Sequence, residues 1–529
     1  MVLERALIYI LTALTLLGLT CSGRAQSSGE LLQQGIRAYE AGNFAQAQQI
    51  FSSLVQRNPS AINVSYLAMA EAAGGNLPQA IADFQRSIRL GNDSARAHYD
   101  LGIAYLKFHR PEAGMHELRL AIARDPKFLL AQYTLGVALL DAGHAHEAIQ
   151  HLESARAQSP STPEIWANLV RAQLEDGNAV AAIKSADDAI KRVPKDPRLA
   201  FTLAGFFLQF RQPGEACQLL EKANELKPMD PDINLLLARA NLLTGKPEQA
   251  LTVLGAMPPE QQKASEWNFL SGESLILTGR LDAAEADLTT AIHAKPDSSS
   301  YLLAYAWLDQ LRGRHAEAIN TLKRARDLDP ETPSVPYRMA VSYLLLGLNN
   351  QAEKASEEAI RLAPKFDLPY VLLAVVKLRQ GSFSAAETAL RKAISLDPAV
   401  AAFHCKLGEA LYRAGNLAES RKELDQAIKL DPKEHQAYFW RARVLARQSK
   451  RREAIADLER AVALRPQYRE AYSLLAQLYF AEGERDKAAS ALANQNRELH
   501  QEQGENEFLI RQLQSLPDVG GEKGLHERR

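Results

Sequence analysis

The chain has 529 residues, of which 62 are Lys or Arg and 63 are Asp or Glu, so its formal net charge at pH 7 is −1. This balance argues against a dedicated nucleic-acid binder, which is usually basic. With 46% hydrophobic residues, the composition is that of a folded protein and excludes a disordered chain.

The N-terminus is the first distinct element. Residues 6–19 (ALIYILTALTLLGL) are almost all apolar, follow Arg5, and precede a segment of small residues that includes Ala25. This stretch is short for a membrane span, which needs about 20 residues. The pattern predicts a secretory signal peptide over residues 1–25. An uncleaved membrane anchor and lipid attachment at Cys21 stay open as alternatives.

The rest of the chain repeats a sequence pattern every 34 residues. The phrase AIRLAP (359–364) returns as AISLDP (393–398), AIKLDP (427–432) and AVALRP (461–466). Most repeats end in a proline, and positions are counted from it. Small residues recur 10, 22 and 29 residues after these prolines (offsets 10, 22 and 29), with exceptions at Val170 and Ser420. Glycine recurs at offset 17, with exceptions at Arg211 and Ser449. The prolines that keep this frame are Pro126, Pro160, Pro194, Pro228, Pro296, Pro330, Pro364, Pro398, Pro432 and Pro466.

Residues 399–432 illustrate the structure that one unit predicts. Leu407, Gly408 and Leu411 are spaced to share one face of a helix. Gly415 supplies a left-handed cap, and the closing proline ends a second helix. The small residues that recur at the same offset in successive repeats let two helices approach closely. Each repeat is therefore expected to be an antiparallel helix pair. Each pair then needs its neighbours to bury its outer face.

A 34-residue period with Gly or Ala, Gly, Ala, Ala and Pro in this order resembles the tetratricopeptide repeat family, in its exported bacterial form. The resemblance implies an all-α fold, a right-handed α-solenoid (superhelix) of about fourteen antiparallel helix pairs over residues 27–500. An apolar stripe in residues 501–517 predicts a C-terminal capping helix, and residues 518–529 are expected to form a disordered tail.

No motif for catalysis or for a cofactor is found, and neither a catalytic, a cofactor nor a metal site is expected. His144, His146 and His151 are close in sequence, but the last two are five residues apart and do not share a helix face as two metal ligands would. Cys217 and Cys405 are more than five repeats apart and are expected to be buried free thiols. So few cysteines in an exported protein favour a bacterial envelope.

One set of residues suggests a binding surface. Arg379, Arg413 and Arg447 stand at the same offset from successive prolines, and Arg443 lies one helical turn before Arg447. In the family that this chain resembles, the first helix of each unit lines the concave groove, so these arginines would form a row there. Guanidinium groups suit carboxylates and other anions. Trp440 is expected beside the row as a hydrophobic anchor, although a merely solvated basic face remains the alternative.

The charge distribution agrees with an anionic partner. Residues 365–470 contain twenty Lys or Arg against thirteen Asp or Glu, an excess of seven, so the rest of the chain carries −8. No stacking aromatic residues are expected to interleave the arginine row, which favours an acidic peptide over nucleic acid.

The leading hypothesis is therefore a non-catalytic scaffold, periplasmic or secreted, that binds other proteins or peptides. A structural component of an envelope machine, such as a polysaccharide-export or pilus-assembly complex, is the alternative. Nucleic acid and small-molecule substrates are not expected, and membrane association would arise only through a partner.

Overall fold

The computed structural model describes residues 27–497, and every regular element in this range is an α-helix. The predicted signal peptide with Cys21, the predicted capping helix at 501–517 and the predicted tail at 518–529 lie outside the described residues. The described helices form two compact units that divide at residues 233 and 234. Within residues 27–497, none of the helices is both long and apolar enough to cross a membrane.

The helices follow one another as pairs, and the two members of a pair contact each other, in the seventh pair through a shared hydrophobic cluster. The first seven pairs are α1 (Ser28–Glu40) and α2 (Phe44–Arg57), α3 (Ala61–Ala73) and α4 (Leu77–Arg89), α5 (Ala95–Lys107) and α6 (Pro111–Arg124), α7 (Leu129–Asp141) and α8 (Ala145–Gln158), α9 (Pro163–Glu175) and α10 (Ala179–Arg192), α11 (Pro197–Gln209) and α12 (Pro213–Leu226), and α13 (Pro231–Leu243) and α14 (Pro247–Gly255). The boundary between the two units falls within α13, so α14 belongs to the second unit.

The remaining seven pairs belong to the second unit. They are α15 (Ser265–Leu277) and α16 (Leu281–Ala294), α17 (Ser299–Leu311) and α18 (His315–Leu328), α19 (Ser334–Leu345) and α20 (Asn349–Leu362), α21 (Leu368–Arg379) and α22 (Phe383–Leu396), α23 (Ala401–Arg413) and α24 (Leu417–Leu430), α25 (His435–Arg447) and α26 (Arg451–Leu464), and α27 (Arg469–Ala481) and α28 (Arg485–Arg497). The all-α solenoid of fourteen pairs is thus confirmed, while its right-handed superhelical sense stays a prediction.

The small-residue columns lie where two helices of a pair meet. A Cβ added to Gly408 would lie 2.5 Å from Cγ of Leu424 on the second helix, which is far inside normal contact distance. Ser420, an exception in the alanine column, donates its hydroxyl to the carbonyl of Gly408 at 2.7 Å. The close approach therefore depends on glycine at one position and on a small side chain at the other.

The glycine column lies at the ends of the first helices. Gly415 has a φ of 88°, the left-handed conformation that glycine adopts without steric cost. Arg211 and Ser449, which break the column in sequence, adopt φ values of 59° and 62°. The turn is therefore maintained there despite the Cβ, at an energetic cost that glycine would avoid.

The residue at the sixth position after the repeat proline closes the turn between one helix pair and the next. Side chains of different chemistry here place a nitrogen or a hydroxyl against the carbonyl oxygen of that proline. In the five repeats named below, this hydrogen bond fastens the start of the first helix to the preceding turn, and it explains why Gln, Trp, Tyr and His can replace one another there. The examples are Gln132 (3.0 Å), Trp166 (2.8 Å), Tyr370 (3.1 Å), His404 (3.2 Å) and Tyr438 (3.3 Å).

The histidines and cysteines singled out in the sequence do not form a metal site or a disulfide in the described part of the chain. Nδ1 of His151 lies 2.7 Å from the amide oxygen of Gln132, whereas His146 faces Asp176 at 3.4 Å. Cys217 and Cys405 are both buried thiols outside any disulfide, as predicted. Among residues 27–497, no group of three or more His, Cys, Asp or Glu is arranged to hold a metal ion.

Candidate functional site

The first helices of four successive pairs in the second unit surround a cavity of about 400 Å³. They are α21, α23, α25 and α27, and α23 packs directly against α25. The charged residues that line the cavity are Arg379, Lys406, Glu409, Arg413, Arg443 and Glu470. The uncharged residues that line it are Val375, Leu378, Gln436, Phe439, Trp440 and Tyr468.

Three arginines and two aromatic rings alternate along this face. The guanidinium carbon of Arg443 lies 4.8 Å from the ring centroids of both Tyr412 and Trp440. Arg447 lies 5.5 Å from the ring of Tyr412, and Arg413 lies 5.5 Å from that of Trp440. We call these five residues the arginine–aromatic ladder. Cation–π attraction holds the three like charges close together despite their mutual repulsion.

Glu409 neutralises part of this positive charge. The side chain is almost fully buried and accepts from Lys406 at 3.0 Å and from Arg413 at 2.8 Å. Burial by itself would lower the pKa of Lys406, but the attraction of Glu409 outweighs it and raises that pKa above its ordinary value. Lys406 and Arg413 are therefore positioned by an internal carboxylate.

Arg443 and Arg447 differ from Arg413 in this respect. Neither forms an ion pair with a carboxylate in the described part of the chain, and for Arg443 the contacts are with aromatic rings. Arg443 is half-buried at the cavity wall, and Arg447 is exposed. Among the described residues, Arg443 therefore lines the cavity and Arg447 faces solvent without an internal counter-charge.

Arg379 has a partly structural role. Its Nη1 donates a 2.7 Å hydrogen bond to the carbonyl oxygen of Leu344, near the end of α19. A cation at a helix C-terminus also stabilises the unpaired carbonyls there. Arg379 thus connects two successive first helices while it lines the cavity.

The predicted site residues are brought together. Arg379, Arg413, Arg443 and Trp440 line one cavity, and Arg447 contacts its neighbour Tyr412. The expectation that no aromatic residues interleave the arginines is wrong, since Tyr412 and Trp440 lie between the guanidinium groups. The reason is that α23 packs against α25, which brings side chains of two different repeats together in space.

Sequence reasoning missed most of the rest of the lining. Lys406 and Trp440 share offset 8 from their repeat prolines, and Glu409 and Arg443 share offset 11. The offsets 4, 8, 11 and 15 lie on one helical face. Reading these columns together would have predicted Lys406, Gln436 and Glu470 as members of the lining.

Comparison with curated protein sequences gives no match. Among solved structures, the chain is similar to one in the crystal structure of the APC/C hetero-tetramer Cut9–Hcn1, at 14% identity and a TM-score of 0.44, covering 92% of this chain and 97% of that chain.

Two further structures are similar over different lengths. One is MamA protein, at 22% identity and a TM-score of 0.30, covering 32% of this chain and 94% of that chain. The other is Naa15/Naa10 bound to HypK-THB, at 16% identity and a TM-score of 0.34, covering 92% of this chain and 78% of that chain. At such values the functions of those proteins do not transfer to this chain.

Family models give a more direct result. Models described as tetratricopeptide repeat match residues 139–204 and 207–270, residues 337–366, and residues 269–333, 371–435, 405–450 and 441–496, and one described as TPR repeat matches residues 69–107. These matches together cover most of the described residues and agree with the fourteen helix pairs. The chain therefore belongs to the tetratricopeptide repeat family.

Proposed function

We propose that this protein is an exported, non-catalytic scaffold that captures an acidic segment of a partner protein in the cavity between α21, α23, α25 and α27. Tetratricopeptide repeats support a protein-interaction scaffold in general. The observation that carries the proposal for this chain is the arginine–aromatic ladder, in which Arg443 and Arg447 have no internal counter-charge among the described residues.

The electrostatics of the cavity favour an anionic ligand. Four cations line it against two carboxylates, and one of those carboxylates, Glu409, is already paired on both oxygens. Like charges fixed along one surface raise the local positive potential and attract anions. Arginine is well suited to this task because its planar group binds carboxylates through two parallel hydrogen bonds.

The aromatic residues shift the choice toward protein rather than nucleic acid. Tyr412 and Trp440 each contact two guanidinium groups, so their rings are engaged by the protein itself. Binding to single-stranded nucleic acid depends on rings that are open to stack with successive bases. The acidic balance of the chain outside residues 365–470 also disfavours an extended polyanion.

Capture of partners tests the scaffold function. The test variant carries serine in place of four arginines, Arg379, Arg413, Arg443 and Arg447. Circular dichroism should show that its helical content is intact. The variant should fail to recover the acidic partner proteins that wild type retains. Binding should weaken as salt rises, because exposed charges are screened beyond about 10 Å at 0.1 M salt. Unchanged capture by the fourfold variant would contradict the proposal.

Export is a separate part of the proposal and rests on the apolar segment at residues 6–19. N-terminal sequencing of the mature protein recovered from the cell envelope or medium is expected to begin near Gln26. A mature protein that starts at Met1, or one that carries lipid on Cys21, would contradict cleavage after Ala25.

A further inference from the structure

Arg443 holds the most informative position in the cavity. Its guanidinium is fixed by Tyr412 and Trp440 at 4.8 Å each and by Phe439 at 5.7 Å. Aromatic rings do not replace the oxygen acceptors that guanidinium N–H groups prefer, and the described residues supply Arg443 with no ion-pair partner. The side chain is thus held in place with its hydrogen-bond donors ready for an incoming acceptor.

The other cations of the cavity are already engaged. Arg413 and Lys406 bind Glu409, and Arg379 donates to the carbonyl of Leu344. A carboxylate that enters the cavity would therefore find its unpaired donors at Arg443. The four arginines that the sequence groups together are consequently unequal, and Arg443 is expected to contribute most.

An apolar wall lies in the same cavity. Val375, Leu378 and Phe439 are buried, and all three line the cavity with Arg443. A cavity of about 400 Å³ falls within the range of ligand pockets, which combine apolar walls with a few polar groups that fix orientation. The combination fits one carboxylate together with one bulky apolar side chain.

A run of acidic residues fits less well. Glu409 and Glu470 also line the cavity, so a second ligand carboxylate would approach like charge. Such repulsion, chiefly from Glu470, works against polyanions and so contributes to selectivity for a single carboxylate.

We propose that the site recognises a single Asp or Glu side chain next to a bulky apolar residue within a partner peptide, with Arg443 as the anchor for the carboxylate. This inference rests on the proposed function and specifies the partner's chemistry. Because a guanidinium binds a carboxylate through two parallel hydrogen bonds and an ammonium does not, lysine should not replace the anchor even though lysine keeps the charge.

Defined peptides test this inference. The probe is a labelled Gly/Ser peptide that carries Phe-Glu-Leu, compared with its Phe-Gln-Leu counterpart and with polyglutamate of equal length, at about 0.15 M salt. Wild type should bind the Glu peptide at least about 10-fold more tightly than the Gln peptide, as expected for loss of a charge-assisted hydrogen bond. Polyglutamate should bind more weakly than the Glu peptide.

Variants locate the anchor. Arg443→Lys and Arg443→Ala should each weaken binding of the Glu peptide by about 10-fold or more, an effect typical of a binding hot spot. Arg447→Ala should weaken it by less than about 3-fold, since that side chain is exposed. Arg460→Ala is the matched control, because Arg460 is an exposed arginine on the second helix α26 and should leave affinity unchanged.

The outcomes separate the two proposals. If wild type binds none of the acidic peptides, both the acidic-peptide function and the single-carboxylate inference are wrong. If wild type binds them but Arg443→Lys is unchanged, or if polyglutamate binds as tightly as the Glu peptide, only the inference is overturned. Binding of a single-stranded oligonucleotide more tightly than any peptide would overturn both.

Discussion

Two arginines on first helices of the same unit lie against tryptophan rings and yet differ in how far the protein itself provides their hydrogen-bond partners. Arg338 on α19 is only 3% exposed and lies 5.4 Å from the ring of Trp307. Its Nη1 donates to the amide oxygen of Gln310 at 3.1 Å. Arg443 on α25 contacts Trp440 at 4.8 Å but remains half-buried at a cavity wall.

The difference lies in how far each arginine is satisfied internally. Around Arg338, the Gln310 side chain also donates to the Arg338 carbonyl at 2.8 Å and to Ser342 at 2.7 Å, which closes a buried polar network. Among the described residues, no such network surrounds Arg443. A buried, hydrogen-bonded arginine contributes to folding, whereas one held by aromatic rings alone keeps its donors for a ligand.

The largest expected difference between the two arginines is in the free energy of unfolding when each is replaced by alanine. Arg338→Ala leaves Gln310 without its donor and a space beside Trp307, so the free energy of unfolding of the second unit should fall by about 2–5 kcal/mol. Arg443→Ala should change it by no more than about 1 kcal/mol. Urea unfolding followed by tryptophan fluorescence gives both values, and equal losses would remove the distinction between the two sites.

A substitution that alters helix packing without replacing either arginine provides a second test. Ala386 on α22 is fully buried, and Ala386→Leu should force helices apart and cost about 1–3 kcal/mol. Because repeats couple mainly to their neighbours, the loss should be confined to α21, α22 and the adjacent helix pairs. Thermal unfolding with hydrogen exchange would measure it, and an unchanged melting profile would show that this column does not lie at the helix contact.

The buried carboxyl of Glu273, which interacts electrostatically with Arg338, should make the stability of the protein depend on pH. Burial raises the pKa of Glu273 to about 8, partly offset by the charges of Arg239 and Arg338. The folded state then holds a proton that the unfolded chain releases near pH 4.5, so this group's contribution to stability is present at low pH and is lost as pH rises toward 8.

Replacement of this carboxyl by an amide isolates the effect. Glu273→Gln imitates the protonated form, so the variant should gain about 1 kcal/mol or more over wild type between pH 5 and pH 8. Urea unfolding of both proteins at the two pH values measures the difference. A difference that does not grow with pH would mean that Glu273 is ionised throughout.

The smallest expected effect is at the end of α25, the helix that carries Arg443. Ser449 holds a φ of 62°, and Ser449→Gly should remove that strain and stabilise the protein by about 0.5–1 kcal/mol. Gly415→Ser, at the equivalent position after α23, should have the opposite sign. Chemical unfolding of both variants is the check, and a destabilised Ser449→Gly would contradict the role assigned to this turn.

The repeat frame predicts much of the fold because each column has one physical requirement. Small residues such as Gly408 are required where helices approach, glycine where the backbone turns left-handed, and proline where the second helix has ended. Sequence did not reveal that Ser449 and Arg211 keep the turn without glycine, because neighbouring contacts can hold a strained conformation.

The candidate site was predictable only in part. The column at offset 15 from each proline identified Arg379, Arg413 and Arg447, since side chains at equal offsets lie on the same helix face. It could not show that Arg379 binds a backbone carbonyl or that Arg413 binds Glu409, because such pairings depend on side-chain conformation. The same limit hid the contrast between Arg338 and Arg443.

Side-chain NMR gives the most direct test of the claim that Arg443 binds the ligand carboxylate while Arg338 serves the fold. The Nε–Hε signals of both arginines, assigned with single Lys variants, would be followed during titration with the Phe-Glu-Leu peptide. We expect the Arg443 signal to shift progressively to saturation and the Arg338 signal to keep its position. An Arg443 signal that stays unchanged while the peptide binds would contradict this claim.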